Sequence, residues 1–389
     1  MKPVTTASET QPAAAAEEVR RLRNYVAGSW QAASVAETLE DRDPVSGEIS
    51  ALVPLSGEAE VDAAVGAARA AQAEWRNVPP QRRARAIMSL RTALLERRED
   101  LARLVTEDMG KTIDDARGEV TRGIESVEAA CAIPHLLKGE NLEGVAGGVD
   151  VELFRQPVGV VAAITPFNFP AMIPLWFAPL AVAAGNTMVM KPSQRTPLTA
   201  NRLAELFAEA GFPDGVLNVV HGAQEAVEAL IDHQAVRAIS FVGSAPVARK
   251  VYERSGLRGK RVQALAGAKN HMIVMPDADI DQAVRGVFAS AFSNAGQRCL
   301  AGSVAVGVGG IGEELREGLA QMARDAHIAP GDEPGTDADT AVTPVTTAEA
   351  RDRISGYIQL GEKEGARLIV DGRGEDGEGY FLGPTLFDE

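Results

Sequence analysis

From Val151 onward the chain alternates short β-branched runs with helical stretches, and few folds accommodate that order. Strands read at Val158–Ile164, Thr187–Met190, Val216–Val220 and Ala238–Val242, with helices at Ala171–Ala184, Leu198–Ala210, Gln224–Asp232 and Val247–Ser255 between and after them. Alternation of this kind predicts an α/β fold, a parallel sheet covered by helices on both faces. Such sheets bind ligands beyond the carboxyl ends of their strands. Three strand exits lie there: Thr165-Pro166-Phe167-Asn168, Lys191-Pro192-Ser193-Gln194-Arg195 and Gly243-Ser244-Ala245. Each precedes a helix, and together they predict a binding crevice.

The segments on either side divide the rest of the chain. Met1 to about Glu18 is an Ala, Thr, Ser and Glu stretch without the apolar run of a signal peptide, and residues 1–23 are expected to form a disordered leader. Asn24–Ser56 reads as short strands and turns. Helical periodicity then covers Glu58–Trp75, Pro80–Glu107 and Gly118–Leu137. In the last of these, Arg122, Glu125 and Glu128 share a face, which by spacing alone suits a solvated ion pair. A second unit begins near Gln263, with strands at Met272–Met275, Ser303–Val308 and Arg367–Val370. Its helices fall at Ile280–Ser293, Glu313–Asp325 and Ala348–Glu364, and Gly372–Gly379 forms a turn. Two domains follow, 24–262 and 263–389.

Charge and cysteine usage narrow the function. Lys and Arg number 39 against 54 acidic residues, a formal charge of −15 that disfavours nucleic acid and anionic membranes. Phe169–Gly185 is the most apolar stretch, but Pro170, Pro174 and Pro179 make it a buried helix rather than a membrane span. The two cysteines, Cys131 and Cys299, lie far apart without metal-ligand spacing, so a cytoplasmic protein with neither disulfide framework nor metal site is expected. Cys131 falls inside a helix and reads as a core residue. Cys299 directly follows Arg298, whose charge favours the nucleophilic thiolate; cysteine is nonetheless most often a small buried hydrophobe, so this stretch alone does not establish chemistry.

Gly307-Val308-Gly309-Gly310-Ile311-Gly312 spells the dinucleotide-binding G-x-G-x-x-G. No second strand ending in an acidic residue follows about 20 positions on, as that fingerprint requires. We therefore read these glycines as a βα turn, with Lys191 and Ser244 as the competing candidates for nucleotide contacts.

Four segments recur in one order: Thr165-Pro166-Phe167-Asn168-Phe169-Pro170, Met190-Lys191-Pro192-Ser193, Phe241-Val242-Gly243-Ser244 and Gly296-Gln297-Arg298-Cys299. Together they resemble the aldehyde dehydrogenase superfamily, from about Asn24 to the last residue. Ile164–Trp176, Gln263–His271 and the arginine before the cysteine are similar to the CoA-acylating methylmalonate-semialdehyde and malonate-semialdehyde dehydrogenases. The resemblance implies a Rossmann-type NAD-binding domain, with a bridging or oligomerisation segment near 134–157, and an α/β catalytic domain.

It also implies roles. Cys299 would attack the aldehyde, giving a thiohemiacetal and then a thioester. Asn168 would donate its amide to the oxyanion. Lys191 would bond the adenosine ribose and Ser244 the pyrophosphate, with Thr165, Phe167, Gln194, Arg195, Gly243 and Ala266 around the cofactor. Arg122 and Arg298 would clamp the carboxylate of a 3-oxopropanoate substrate, which suits the planar guanidinium fork. Hydrolytic members carry a Glu where this chain has Ala264; without that base, transfer to coenzyme A is expected, after loss of CO₂, to give propanoyl-CoA or acetyl-CoA. Gln194 stands where the superfamily usually has Glu, which leaves NAD expected but NADP less strongly repelled. The chain stops at Phe387-Asp388-Glu389, where the family continues for roughly another hundred residues, a domain-sized piece. A missing nicotinamide-ribose Glu, a catalytic domain left incomplete, a missing subunit-joining strand and impaired activity are the implied consequences, although full-length members form homo-oligomers. The alternatives are a hydrolytic NAD(P)-dependent enzyme with a different base and an inactive nucleotide-binding relic.

Overall fold

The computed structural model describes residues 19–374 and 378–388. Its central sheet has seven strands, in spatial order Arg261–Ala266, Val236–Gly243, Val160–Ile164, Thr187–Lys191, Leu217–Val219, Asn24–Val26 and Ser29–Gln31. The first five are mutually parallel, and the last two are added by successive antiparallel pairings. From Val160–Ile164 the chain steps outward through two strands, then returns to place Val236–Gly243 on the opposite flank. That reversal is a topological switch point, where the carboxyl ends of neighbouring strands diverge and open a crevice.

Every residue of Val160–Ile164 and Thr187–Lys191 is buried. Strands covered on both faces need apolar residues throughout, which explains their unbroken apolar runs in the sequence. One covering layer packs Leu90, Leu94, Val120, Leu175 and Leu203 against the sheet. The other brings in Val61, Val65, Leu230 and Val251.

The apolar stretch folds as the helix Met172–Ala183, packed on Ile113–Cys131. Gly123 permits that close approach: a Cβ there would lie 2.6 Å from Leu175 Cδ1. Among the described residues no helix is long and apolar enough to cross a membrane.

Several boundaries differ from the sequence reading. Residues 1–18 of the expected leader lie outside the described residues, whereas Arg20–Arg21, also placed in the leader, pair in parallel with Ala51 and Leu52. The run Pro80–Glu107 divides at Arg97 into Pro80–Glu96 and Arg98–Met109. The third helix begins at Ile113, five residues earlier than its apolar spacing suggested. Thr112 caps it by accepting from the Asp115 amide, and Asp114 and Asp115 favour its positive end. The helix stops at Cys131, and a separate turn, Ile133–Leu136, follows with proline in its first positions. The strand Arg261–Ala266 hydrogen-bonds to Val236–Gly243 along its whole length, so a boundary at 262 cuts through it.

Beyond that strand, His271–Val274 pairs in parallel with Val304–Gly307. The helices Ile280–Phe292 and Ile311–Arg324 build a separate core with Val274, Phe288 and Leu319. Arg367–Val370 pairs antiparallel with Leu386–Asp388, and residues 375–377 of the expected Gly-rich turn lie outside the described residues. In the G-x-G-x-x-G run, a Cβ on Gly307 would meet the Gly312 backbone at 2.5 Å. A tight strand-to-helix turn is thus reason enough for glycine there. Glu140–Ala146 and Val149–Leu153 form a hairpin that is exposed along its length.

Candidate active site at the carboxyl edge of the sheet

Strand register brings the sequence-predicted groups together. Ile164 lies opposite Lys191 and Phe241, and Gly243 opposite Ala266, so four strand exits share one edge. Thr165 is buried and its amide donates to the Lys191 carbonyl at 3.1 Å. Phe167 has the Arg195 guanidinium 5.9 Å from its ring centroid, and its carbonyl accepts from the Thr196 hydroxyl.

Lys191 is 4% exposed. Its ammonium donates to the Gly222 carbonyl at 2.9 Å and to Gln194 Oε1 at 3.4 Å. Burial pulls its pKa down to about 8, which still leaves a cationic donor at neutral pH. His221, fully buried nearby, is held neutral: burial, with the Lys191 charge second, lowers its pKa to about 3. Its Nε2 lies 2.8 Å from Asn201 Oδ1.

Ser244 is the exposed N-terminal residue of the helix Ala245–Leu257, and its hydroxyl makes no capping bond. The first turn carries no acidic side chain, leaving free amides and the positive dipole end for an anion. At Gly243 a Cβ would lie 2.5 Å from the Phe241 ring, so a side chain there would require that ring to shift. An NAD ribose and pyrophosphate fit this set: a buried cation with an amide beside it, and an uncapped helix start two strands away on the same edge of the sheet.

The cysteine enters on a strained turn. After Phe292 the chain places Asn294, Ala295 and Gly296 in succession at φ values of 56°, 51° and 68°. Left-handed backbone is natural for glycine and unfavourable for alanine, and such residues concentrate at functional sites. Asn294 is buried, and neither polar atom of its side chain has a partner in the structure. The turn carries Gln297 to the strand exit, where its main-chain carbonyl accepts from Asn168 Nδ2 at 2.8 Å. Gln297 Oε1 accepts from the amide and hydroxyl of Thr346 at 3.1 and 3.0 Å, fixing the loop from the other side. Cys299 is half-buried with a free thiol, and its carbonyl accepts from Asn270 Nδ2 at 2.8 Å. The same amide reaches the Ala301 carbonyl.

The two arginines differ. Arg298 is half-buried, and among the described residues no carboxylate pairs with it. Arg122 is exposed on its helix and bonds Glu125 at 2.9 Å, the solvated i,i+3 pair that its spacing also suggested. Glu128 instead bonds Arg91. Cys131 is half-buried beside the helix core, and burial raises its thiol pKa.

Sequence reasoning missed Lys111, Glu119, Asn270 and Thr346. Glu119 left one signal: it stands on the inward stripe of Ala116, Val120, Gly123, Ile124 and Val127, where a carboxylate needs a partner.

The chain matches the aldehyde dehydrogenase family over residues 30–389. It is 54% identical to malonate-semialdehyde dehydrogenase 1 of Geobacillus kaustophilus over 95% of this chain and 76% of that protein. A provisionally assigned methylmalonate-semialdehyde dehydrogenase from Sinorhizobium meliloti, crystallised with NAD, superposes with a TM-score of 0.91 at 43% identity, covering 96% of this chain and 76% of that one. The methylmalonate-semialdehyde dehydrogenase of Oceanimonas doudoroffii gives 0.90 at 42%, covering 95% and 76%. With a cysteine loop bonded to an asparagine at the carboxyl edge of its parallel sheet, the chain belongs to the aldehyde dehydrogenase family.

Proposed function

We propose that this chain oxidises malonate semialdehyde or methylmalonate semialdehyde and passes the acyl group to coenzyme A. The bond from Asn168 to Gln297 carries the reading, because it holds an amide donor two residues from the cysteine. The Asn168 amide has two hydrogens, and Gln297 engages one. The second is the donor for the oxyanion that forms when the Cys299 thiolate adds to the aldehyde carbon. Lys191, Gln194 and Ser244 hold the nucleotide, with Thr165, Phe167, Arg195, Gly243 and Ala266 forming its walls. NAD, when bound, supplies the hydride acceptor. The product of oxidation is an acyl thioester on Cys299.

Arg298 meets the substrate carboxylate, and that no carboxylate among the described residues pairs with it supports that role. Arg122 would join it on release from Glu125. The strand that would supply a water-activating base, Arg261–Ala266, carries no carboxylate, with Ala264 at the expected position. A thiol requires little activation, so coenzyme A takes the acyl group after decarboxylation. Association between copies fits the hairpin Glu140–Leu153, where Leu142, Val145, Val149 and Val151 are exposed. A cytoplasmic setting accords with two free thiols.

The test measures NADH formation from each semialdehyde with and without coenzyme A, with the thioester product identified by chromatography. Turnover that requires coenzyme A and yields propanoyl-CoA or acetyl-CoA is expected. Full-rate turnover to the free acid without it would sink the proposal.

A further inference from the structure

A buried ion pair lies behind the catalytic asparagine. Lys111 Nζ and Glu119 Oε2 are 2.6 Å apart, with side chains 1% and 0% exposed. Taking both charges out of water offsets most of their attraction, so the pair contributes little net stability for its burial. What it does provide is a set of fixed contacts on one short segment. Lys111 Nζ donates to the Asn168 carbonyl at 2.9 Å and stands 4.5 Å from the Phe169 ring centroid. Glu119 Oε1 accepts from the amides of Ala171 and Met172 at 2.7 and 3.1 Å, at the start of the helix Met172–Ala183. The backbone is thereby held on both sides of the asparagine–helix junction.

The same stretch touches the nucleophile loop. Asp115, one turn before Glu119, accepts from the hydroxyl of Ser293, the residue that opens the left-handed turn leading to Cys299. Residues 111–119 thus contact both halves of the site, the loop that presents Asn168 and the loop that presents Cys299.

We infer that Lys111 and Glu119 are positioning residues that fix the Asn168 amide relative to Cys299. This rests on the reading of Asn168 as the oxyanion donor. A displacement of about 1 Å at a catalytic group lowers rates by up to about a hundredfold, so the contribution is visible in the chemical step.

The test is a mutant cycle on the full chain, read by single-turnover NADH formation from propanal. Propanal lacks a carboxylate, and the first half-reaction needs no coenzyme A, so neither arginine recognition nor acyl transfer affects the result. The paired variant Lys111→Met/Glu119→Gln removes both charges while keeping an acceptor for the Ala171 and Met172 amides. We expect a fall of about tenfold or more in the NADH-forming rate, an unchanged KM for NAD, and partial recovery in Lys111→Arg. In the Asn168→Ala background the same change should have little further effect, since the group being positioned is gone. Should the paired variant not fold, Glu119→Gln alone enters the same cycle with the same expectation. Losses that multiply across the two backgrounds, or a variant as fast as the parent, would overturn the inference. An Asn168→Ala chain that forms NADH at the parent rate would remove the oxyanion reading, and this inference with it.

Discussion

Asn168 donates its side-chain amide to the main-chain oxygen of Gln297 at 2.8 Å, tying a strand exit of the cofactor sheet to the loop that carries Cys299. The partner is a carbonyl, so it engages one amide hydrogen; on the proposed reading the other strengthens its bond as negative charge develops on a reacting aldehyde. A donor that gains most in the transition state acts on kcat more than on KM. Asn168→Ala should therefore lower kcat by about a hundredfold or more, with KM little changed, as steady-state kinetics would reveal. A rise in KM at constant kcat would place the amide in ground-state binding instead.

Gln194 offers its Oε1 to Lys191 at 3.4 Å, so on the proposed reading the two side chains would meet a ribose together. Its neutral amide neither repels a 2′-phosphate nor grips a 2′-hydroxyl as a carboxylate would. Gln194→Glu should sharpen the preference for NAD, lowering kcat/KM for NADP relative to NAD by about tenfold, the equivalent of about 1.4 kcal/mol. Comparing the two cofactors in both chains tests this.

The parallel sheet and its crevice were legible because doubly covered strands such as Val160–Ile164 and Thr187–Lys191 must be apolar throughout, a pattern carried by the residues themselves. The placement of Asn168, Lys191 and Ser244 at the carboxyl edge was legible for a related reason: polar residues at or soon after the ends of such strands fall where open sheets bind ligands. Glu119 was less so. Its partner Lys111 lies before the helix, and its other contacts are backbone amides of a segment some fifty residues away, which no local periodicity encodes. Lys111, seen beside Gly110, reads only as a helix end. The staple from Asn270 to the carbonyls of Cys299 and Ala301 is equally non-local. Arg122 shows the converse, since its i,i+3 spacing to Glu125 matched the bond observed.

Asp41 is 4% exposed and lies near the fully buried Asp108. Burial first, then the charge of Asp108, raise the Asp41 pKa to about 8, against a weaker opposing bond from Ser50. Burial likewise raises Asp108 to about 7, although it caps Leu198 and Thr199. In the unfolded chain both titrate near the usual value of about 4. Between there and pH 8 the folded state keeps protons that the unfolded state has released, so stability falls as pH rises through that window. Asp41→Asn should flatten the decline and raise Tm at pH 8 more than at pH 5. Thermal melts across that range measure the slope, and a steeper decline in the variant would refute the assignment.

Arg83 closes the far end of the helix that begins beside Asn168. It is 3% exposed, and its Nε donates to the Ala183 carbonyl at 2.7 Å while another guanidinium nitrogen bonds the Val78 carbonyl. Trp75 Nε1 reaches the Val182 carbonyl at 2.8 Å, and Gln72 Nε2 the Gly185 carbonyl at 3.0 Å. Helix C-termini leave carbonyls without intrahelical partners, and here water does not reach them, so side chains must donate instead. Burial lowers the guanidinium's affinity for its proton; arginine is nonetheless the most basic side chain and stays charged, opposite the negative dipole end. Arg83→Met replaces the volume but leaves the buried Ala183 carbonyl and the part-buried Val78 carbonyl short of a donor. The expected loss is about 2–4 kcal/mol, since each unsatisfied buried acceptor is worth about 1–3 kcal/mol. Denaturant unfolding should show it as a lower midpoint at unchanged slope. Arg83 touches neither crevice nor cysteine loop in these contacts, so kcat per folded molecule should stay close to the parent value. A normal midpoint with depressed kcat would instead make this helix a relay to Asn168.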